Sequence, residues 1–204
     1  MIKRMAFHHD STRCTGCKAC QVACKDRWDL PVGVTFRRVV EYASGTWVVH
    51  ADGSCSQTVR AYYVSVACNH CQDARCVEVC PTTATHRHAD GIVEVDSDRC
   101  VGCRYCAWAC PYKAPQFDTE RGVTRKCNFC RDAVEAGGKP SCVAACPTRA
   151  LDFGDFDELQ ARYGKVRELA PLPPARITNP SLVLTPHRDA APVDAGPVAN
   201  PREV

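Results

Sequence analysis

Residues 100–111 read Cys-Val-Gly-Cys-Arg-Tyr-Cys-Ala-Trp-Ala-Cys-Pro, and this run decides the fold of the chain. Its four cysteines follow the spacing C-x2-C-x2-C-x3-C, and a proline comes directly after the last one. In this spacing three thiolates wrap one iron–sulfur cube, whereas the fourth cysteine ligates the cluster of a partner group. The run therefore predicts a [4Fe–4S] cluster and a second cysteine group that completes it.

Sixteen of the chain's 17 cysteines fall into four such groups, and Cys55 lies outside all of them. Group one has the same spacing as the quoted run but is followed by Lys25, and groups two and four carry longer gaps before a final Cys-Pro. The groups are Cys14, Cys17, Cys20 and Cys24 (group one); Cys68, Cys71, Cys76 and Cys80 (group two); Cys100, Cys103, Cys106 and Cys110 (group three); and Cys127, Cys130, Cys142 and Cys146 (group four).

Zinc is the main alternative to iron–sulfur clusters as the metal that these cysteines bind. Group four alone, spaced C-x2-C-x11-C-x3-C, would suit a tetrahedral zinc site about equally well. Groups one and three match no zinc site, so the four groups together favour clusters. The C-x3-C-x2-C order of radical enzymes and the C-x-x-C-H motif of covalent haem are both absent from the sequence.

The composition also points to bound metal. Leu, Ile, Val and Phe together make up only 39 of the 204 residues, yet the formal net charge is just +3, so disorder is not indicated. Four clusters with thiolate ligands carry about −2 each and would bring the loaded protein to about −5. Metal is therefore expected to hold the fold, and with no basic run in the chain a nucleic-acid partner is not expected.

No stretch approaches the roughly 20 apolar residues of a membrane helix, and residues 1–10 lack the apolar segment of a signal peptide. We therefore expect no transmembrane helix and no export signal in this sequence. Disulfide-rich secretion is disfavoured for the same reason, and the cysteines are expected to be thiolates kept in a reducing compartment.

The distances between groups predict how they pair. Only 19 residues separate Cys80 from Cys100, so groups two and three are expected to form one two-cluster unit, which leaves groups one and four to pair around it. Because the last cysteine of each group crosses to the partner's cluster, four ligand sets follow. Set one is Cys14, Cys17, Cys20 and Cys146; set two is Cys24, Cys127, Cys130 and Cys142; set three is Cys68, Cys71, Cys76 and Cys110; set four is Cys80, Cys100, Cys103 and Cys106.

The predicted fold class is α+β, with two nested bacterial-ferredoxin-like units, a β-hairpin insertion and an extended proline-rich tail. The outer unit spans residues 1–33 and 111–170, the insertion 34–66, the inner unit 67–110 and the tail 171–204. Eight of the 14 prolines lie in the tail, which is therefore expected to form neither helix nor sheet and to be disordered or to lie along a partner.

Local patterns predict a few elements between the groups. Residues 34–40 and 61–66 are rich in β-formers, and Asp52-Gly53 is a hairpin turn signal. Residues 91–96 alternate as a strand does, and residues 155–163 suit a short helix that Asp155 caps and Gly164 ends.

The remaining titratable residues suggest no catalytic site. His70 lies between two cysteines and could tune a cluster, but a solvent-facing loop position is the favoured interpretation. His8, His9, His86 and His88 are interpreted as surface residues.

The whole sequence resembles the iron–sulfur subunits of the dimethyl sulfoxide reductase family. The matching stretches are Arg-Cys-Thr-Gly-Cys-Lys (13–18), Cys-Asn-His-Cys (68–71), Cys-Val-Gly-Cys-Arg-Tyr-Cys (100–106), Ala-Cys-Pro-Tyr (109–112), Ala-Leu-Asp-Phe-Gly (150–154), Ala-Pro-Leu-Pro (170–173) and Ala-Asn-Pro (199–201).

The resemblance implies an electron-transfer subunit with two partners. One is a molybdopterin catalytic subunit, and the other is a membrane anchor that oxidises menaquinol. The group-three cluster would lie nearest the quinol and the group-one cluster nearest the catalytic subunit. The related nitrate reductase subunit has tryptophan at the position of Cys103 and a three-iron cluster there; this chain keeps Cys103, so four [4Fe–4S] clusters are implied.

Two alternatives stay open at this point. The chain could be a free-standing polyferredoxin, or it could serve a different molybdenum reductase, because the partner selects the substrate. We expect a peripheral location at the cytoplasmic membrane through partner subunits. The sequence leaves open the side of the membrane, including co-export with the catalytic partner.

Overall fold

The structure, a computed structural model, describes residues 4–193 and 198–201. In these stretches it is a mixed α/β protein whose helices are few and short. None of them has the length and apolar composition needed to cross a bilayer. The helices span Ala19–Arg27 (α1), Arg75–Glu78 (α2), Tyr105–Ala109 (α3), Arg131–Glu135 (α4), Ser141–Ala144 (α5) and Phe156–Tyr163 (α6), and a single 3-10 turn spans Ala175–Ile177.

The strands are equally short. They span Met5–Asp10 (β1), Arg38–Ser44 (β2), Trp47–Val49 (β3), Cys55–Gln57 (β4), Arg60–Val66 (β5), Thr85–Arg87 (β6), Val93–Val95 (β7), Gln116–Asp118 (β8), Val123–Arg125 (β9), Leu151–Asp155 (β10) and Leu182–Thr185 (β11). One sheet has the order β10-β1-β11, and the other strands form the ribbons β2-β5, β3-β4, β6-β7 and β8-β9.

The three-stranded sheet joins distant parts of the sequence. β1 precedes group one and β10 follows group four, and the two strands pair antiparallel with Phe7 opposite Phe153. β11 pairs with the other edge of β1 in parallel, with Phe7 opposite Leu182. Segments on either side of the cysteine groups are thus held together by backbone hydrogen bonds.

The insertion forms a longer arm than the sequence predicts. β2 and β5 pair antiparallel as expected, although β2 begins at Arg38 rather than at residue 34. The predicted turn at Asp52-Gly53 is confirmed, and the N–H of His50 donates to the carbonyl oxygen of Ser54 across it at 2.9 Å. This turn closes a second, fully exposed ribbon, β3-β4, which the sequence did not predict.

The two other local predictions are also confirmed. α6 begins after Asp155, whose Oδ1 accepts from the N–H groups of Asp157 and Glu158 at 3.0 and 3.3 Å, and it ends at Gly164 with φ +95°. The strand predicted at residues 91–96 is β7, which pairs with the unpredicted β6. Capping and alternation are local signals, which explains why they were visible in the sequence.

The prediction that the tail forms no sheet is wrong. The segment from Ser181 to Thr185 contains no proline and three aliphatic residues, and Leu182, Val183 and Leu184 are all buried in β11. The prolines that flank this run restrict only their own neighbourhood. The tail residues 194–197 and 202–204, and residues 1–3 of the outer unit, lie outside the described residues.

His8 and His9 are not surface residues, contrary to the prediction. Both lie in β1 and are buried, because β1 is the central strand and is covered on both faces. The His8 ring stacks on Tyr163 with ring centroids 3.6 Å apart. The His9 Nε2 lies 3.1 Å from the carbonyl oxygen of Tyr63, and burial lowers the pKa of His9 to about 4.

Candidate iron–sulfur centres

Four cysteines from two different groups line one cavity beside the three-stranded sheet. Cys14, Cys17 and Cys20 come from group one and Cys146 from group four, and they border about 300 Å³ of empty space. α1 supplies Cys20, and Cys146 lies between α5 and β10. These are the four residues of set one.

A second cavity has the same construction with the other two groups. Cys68, Cys71 and Cys76 from group two and Cys110 from group three border about 370 Å³ of empty space. Only Cys76 lies within a helix, α2, while the others occupy loops. These are the residues of set three.

Set two consists of Cys24 of group one and of Cys127, Cys130 and Cys142 of group four. All four are buried. Burial raises the pKa of Cys24 to about 12, and the nearby thiolates of Cys142 and Cys130 add to this shift. Burial also raises the pKa of Cys127, with Cys24 again among its neighbours.

Set four is assembled around α3. Burial raises the pKa of Cys106, and Cys100, Cys103 and Cys80 are the thiolates that act on it. Cys80 belongs to group two, so the last cysteine of that group lies with group three. The two cavities thus bring together the cysteines of sets one and three, whereas Cys55 lies exposed on β4.

The chemistry of these sites fits a resident metal cluster. All 17 cysteines are free thiols. Burial raises the pKa of Cys14 to about 11 and that of Cys71 and Cys76 to about 12, so a cation is needed to hold them as thiolates at neutral pH. A bound metal deprotonates a coordinating thiol outright. When bound, a [4Fe–4S] cluster supplies one-electron redox chemistry.

Within the described part of the chain, no three His, Cys, Asp or Glu side chains converge closely enough to hold a single metal ion. A cubane has four irons and takes one cysteine thiolate at each. Its ligands therefore surround a volume rather than a point, as the cysteines around the two cavities do.

Left-handed turns shape the loops of groups one and three. Gly16 and Gly102 precede the second cysteine of each group with φ of +71° and +67°. A Cβ added at Gly16 would lie 2.5 Å from the Tyr63 ring, and one at Gly102 would lie 2.5 Å from the carbonyl oxygen of Gly122. Only glycine suits both the backbone conformation and the close approach.

The contact at Gly102 also places the β8-β9 hairpin beside group three. Thr124 in β9 donates its N–H to the Cys100 Sγ at 3.4 Å. The same hairpin also contacts the insertion and the outer unit, because the Gln116 Nε2 donates to the carbonyl oxygen of Thr35 at 2.7 Å and the Arg125 Nη2 to that of Trp28 at 2.8 Å.

Two sulfur atoms share a hydrogen-bonding pattern that was not predicted from the sequence. The N–H of Thr85 donates to the Cys80 Sγ and that of Ala150 to the Cys146 Sγ, both at 3.3 Å. Burial acts to raise the pKa of each thiol, but these and other hydrogen bonds outweigh it and the pKa is lowered. The repeated Cys-Pro-Thr sequence at residues 80–82 and 146–148 is the sequence feature that could have predicted this pattern, since each threonine hydroxyl also approaches its cysteine sulfur.

His70 is buried, so the interpretation as a solvent-facing residue is wrong. Its Nδ1 accepts the N–H of Val93 at 3.0 Å, and its ring meets the edge of Phe129 with centroids 5.4 Å apart. Burial lowers the pKa of His70 well below its usual range. Its backbone carbonyl accepts from the Ser181 hydroxyl at 2.9 Å, which ties the group-two loop to the tail.

The four sets differ in how exposed their cysteines are. Of the sixteen grouped cysteines only Cys17, in set one, and Cys103, in set four, are exposed. The Cys68 thiolate of set three lies near enough to Cys127 of set two to raise the pKa of that thiol. Sets one and four therefore each place one cysteine at the surface, and sets two and three are neighbours.

A family model described as a 4Fe-4S dicluster domain matches residues 59–156. The corresponding chain of the anaerobic dimethyl sulfoxide reductase of Haemophilus influenzae is 51% identical to this one and that of Escherichia coli is 50% identical, each over the full length of both proteins. This protein belongs to the dimethyl sulfoxide reductase iron–sulfur subunit family.

Membership of the iron–sulfur subunit family confirms the prediction of a non-catalytic electron-transfer subunit. The chain is also similar to a subunit of a reductase with a different substrate. The thiosulfate reductase electron transfer subunit PhsB of Salmonella typhi is 46% identical over 74% of this chain and 75% of its own length.

Proposed function

We propose that this chain holds four [4Fe–4S] clusters in the four crossed ligand sets. It relays electrons from a quinol-oxidising membrane anchor to a molybdopterin catalytic subunit that reduces dimethyl sulfoxide or a related S- or N-oxide. The observation that carries the proposal is the pair of cavities, each lined by three cysteines of one group and one of its partner. Crossed ligation of this kind is the mark of two-cluster ferredoxin units. We further propose that the unit of groups one and four encloses that of groups two and three.

The two exposed sets suit the two ends of an electron path. Around set four, the side chains of Val101, Tyr105 and Trp108 are 66, 52 and 76% exposed. Exposed apolar clusters of this kind mark interaction sites. They support placing group three against the membrane anchor, and group one, which has the other exposed grouped cysteine, Cys17, against the catalytic subunit.

The relatives belong to reductases of different substrates. We therefore propose the substrate of the catalytic partner from the relatives with the higher sequence identity to this chain. The full-length matches at 50 and 51% identity are chains of dimethyl sulfoxide reductases. These relatives are named as chains of reductases, which favours a subunit over a free-standing polyferredoxin. A stable stoichiometric complex on co-purification would distinguish the two, and a polyferredoxin would purify alone.

Anaerobically purified protein is expected to contain about 16 iron and 16 sulfide per chain, because each of the four sets binds one cubane. Elemental analysis and acid-labile sulfide assay measure both quantities. Iron near eight per chain, or stoichiometric zinc, would contradict the proposal.

The variant Cys24→Ser tests the crossed ligation. Cys24 lies near Cys142 and Cys130, so its loss should disturb the cluster of set two and spare that of set one. Electron paramagnetic resonance of the reduced protein reports each cluster.

The matched control is Cys20→Ser, one turn earlier on the same helix, which should disturb set one instead. If Cys24→Ser removes the set-one cluster and leaves set two intact, the crossed sets are incorrect.

A further inference from the structure

Three arginine or lysine side chains are buried among the described residues; Arg38 donates to the carbonyl oxygen of Tyr112, and the other two lie among the cysteine groups. Arg37 is 2% exposed and Lys126 is 5% exposed. A buried cation is costly unless an opposite charge compensates it. Among the residues that the structure describes, no carboxylate forms an ion pair with either of these two.

Arg37 lies between sets one and two. Its Nη1 donates to the carbonyl oxygen and the hydroxyl of Ser65, at 3.3 and 3.2 Å, and the same hydroxyl lies 3.3 Å from the Cys20 Sγ of set one. On the other side, burial raises the pKa of Cys142 of set two and the nearby positive charge of Arg37 opposes this rise. The Arg37 Nε has no protein partner.

Lys126 lies between sets two and three. Its Nζ donates to the Cys68 Sγ of set three at 3.3 Å. It also donates to the carbonyl oxygens of Cys127, a set-two ligand, at 3.1 Å and of Val93. Lys126 therefore bridges the outer and inner pairs of groups.

The Cys80 and Cys100 sulfur atoms of set four accept hydrogen bonds from backbone N–H groups, as do those of Cys146 of set one and Cys127 of set two. In the described part of the chain, no hydrogen bond joins Arg37 or Lys126 to a cysteine of set four. Arg37 and Lys126 thus lie between sets one and two and between sets two and three, respectively.

We propose that the fixed positive charges of Arg37 and Lys126 raise the reduction potentials of the two clusters between which each residue lies. This inference rests on the proposed function and adds the residues that tune it. A fixed positive charge favours the state with one more electron, and an interior of low dielectric screens it weakly. No bond forms or breaks: one electron arrives from the quinol side and one leaves towards the catalytic subunit.

The test is a redox titration, followed by electron paramagnetic resonance, of the whole complex carrying Arg37→Gln or Lys126→Gln. Each variant should make two of the four clusters at least tenfold harder to reduce, which is a fall of about 59 mV for one electron. One cluster, that of set two, should shift in both variants. The cluster of set four should shift in neither.

Two control variants separate charge from packing. Arg37→Lys keeps the charge and should restore the potentials. Lys165→Gln removes an exposed lysine and should leave all four unchanged.

Unchanged potentials in a variant with full iron, or an equal shift of all four clusters, would overturn the proposal. Loss of iron from a variant would also overturn it for that residue, by making its role structural. Failure of the proposed function would be visible separately, as a low iron content of the unmutated protein.

Discussion

A Cys103→Ser variant is expected to lose quinol-driven reduction almost completely while keeping reduction driven by a small dye. Cys103 is exposed and is a proposed ligand of set four, so removing its thiolate should leave one iron weakly held. Loss of that iron leaves a three-iron cluster, as in the related nitrate reductase subunit with tryptophan at this position. Cluster type and charge are main determinants of reduction potential.

The expected loss follows from the size of the potential change. Each step of about 59 mV is a tenfold change in the equilibrium constant of a one-electron transfer. A shift of a few multiples of this value would hold electrons at set four and make their onward transfer strongly uphill. A reduced dye that feeds the catalytic subunit directly avoids this step, so its turnover should persist.

The measurement compares menaquinol-driven and dye-driven turnover in the assembled complex. Cys55→Ser is the matched control, because Cys55 is also exposed but lies outside every set, and it should leave both activities intact. Equal loss of both activities in Cys103→Ser would indicate an assembly defect and would contradict the placement of group three at the quinol end.

Removal of residues 171–204 is expected to destabilise the protein and release iron. From the sequence alone this tail was expected to be disordered or to lie along a partner, but three buried aliphatic side chains of β11 belong to the core. Burying each contributes roughly 1.5–3 kcal/mol. The sum is comparable with the roughly 5–15 kcal/mol that stabilises a typical domain.

The iron loss should begin at set three. The N–H groups of Gln72 and Asp73 donate to the carbonyl oxygens of Asn179 and Thr178 at 2.9 and 3.0 Å, so the tail holds the group-two loop in place. Thermal unfolding and iron analysis measure both effects.

A shorter truncation after Thr185 is the control, because it retains β11. It should keep its iron and lose less thermal stability than the longer truncation, since it removes only peripheral contacts such as that between the Ala170 N–H and the Ala191 carbonyl oxygen. Full iron and unchanged thermal stability in the longer truncation would mean that β11 is dispensable.

The cysteine groups and the helix at residues 156–163 could be predicted because their signals are local. A cluster loop is encoded by the spacing of four cysteines and by glycines such as Gly102 in left-handed turns. A helix cap depends on three or four neighbouring residues. The crossed ligand sets also came from spacing, and they stay a prediction that Cys24→Ser can test.

By itself, then, the sequence determined the cysteine groups, the electron-transfer class and the hairpin insertion. Only the tertiary structure decided that His70, Arg37 and Lys126 are buried and that residues 182–185 form a sheet strand. Burial depends on segments that are far apart in the sequence: Lys126 meets Cys68, and Ser181 meets His70. Polar residues are usually exposed and proline-rich segments are usually irregular, so local rules predicted the wrong surroundings wherever a distant segment covered them.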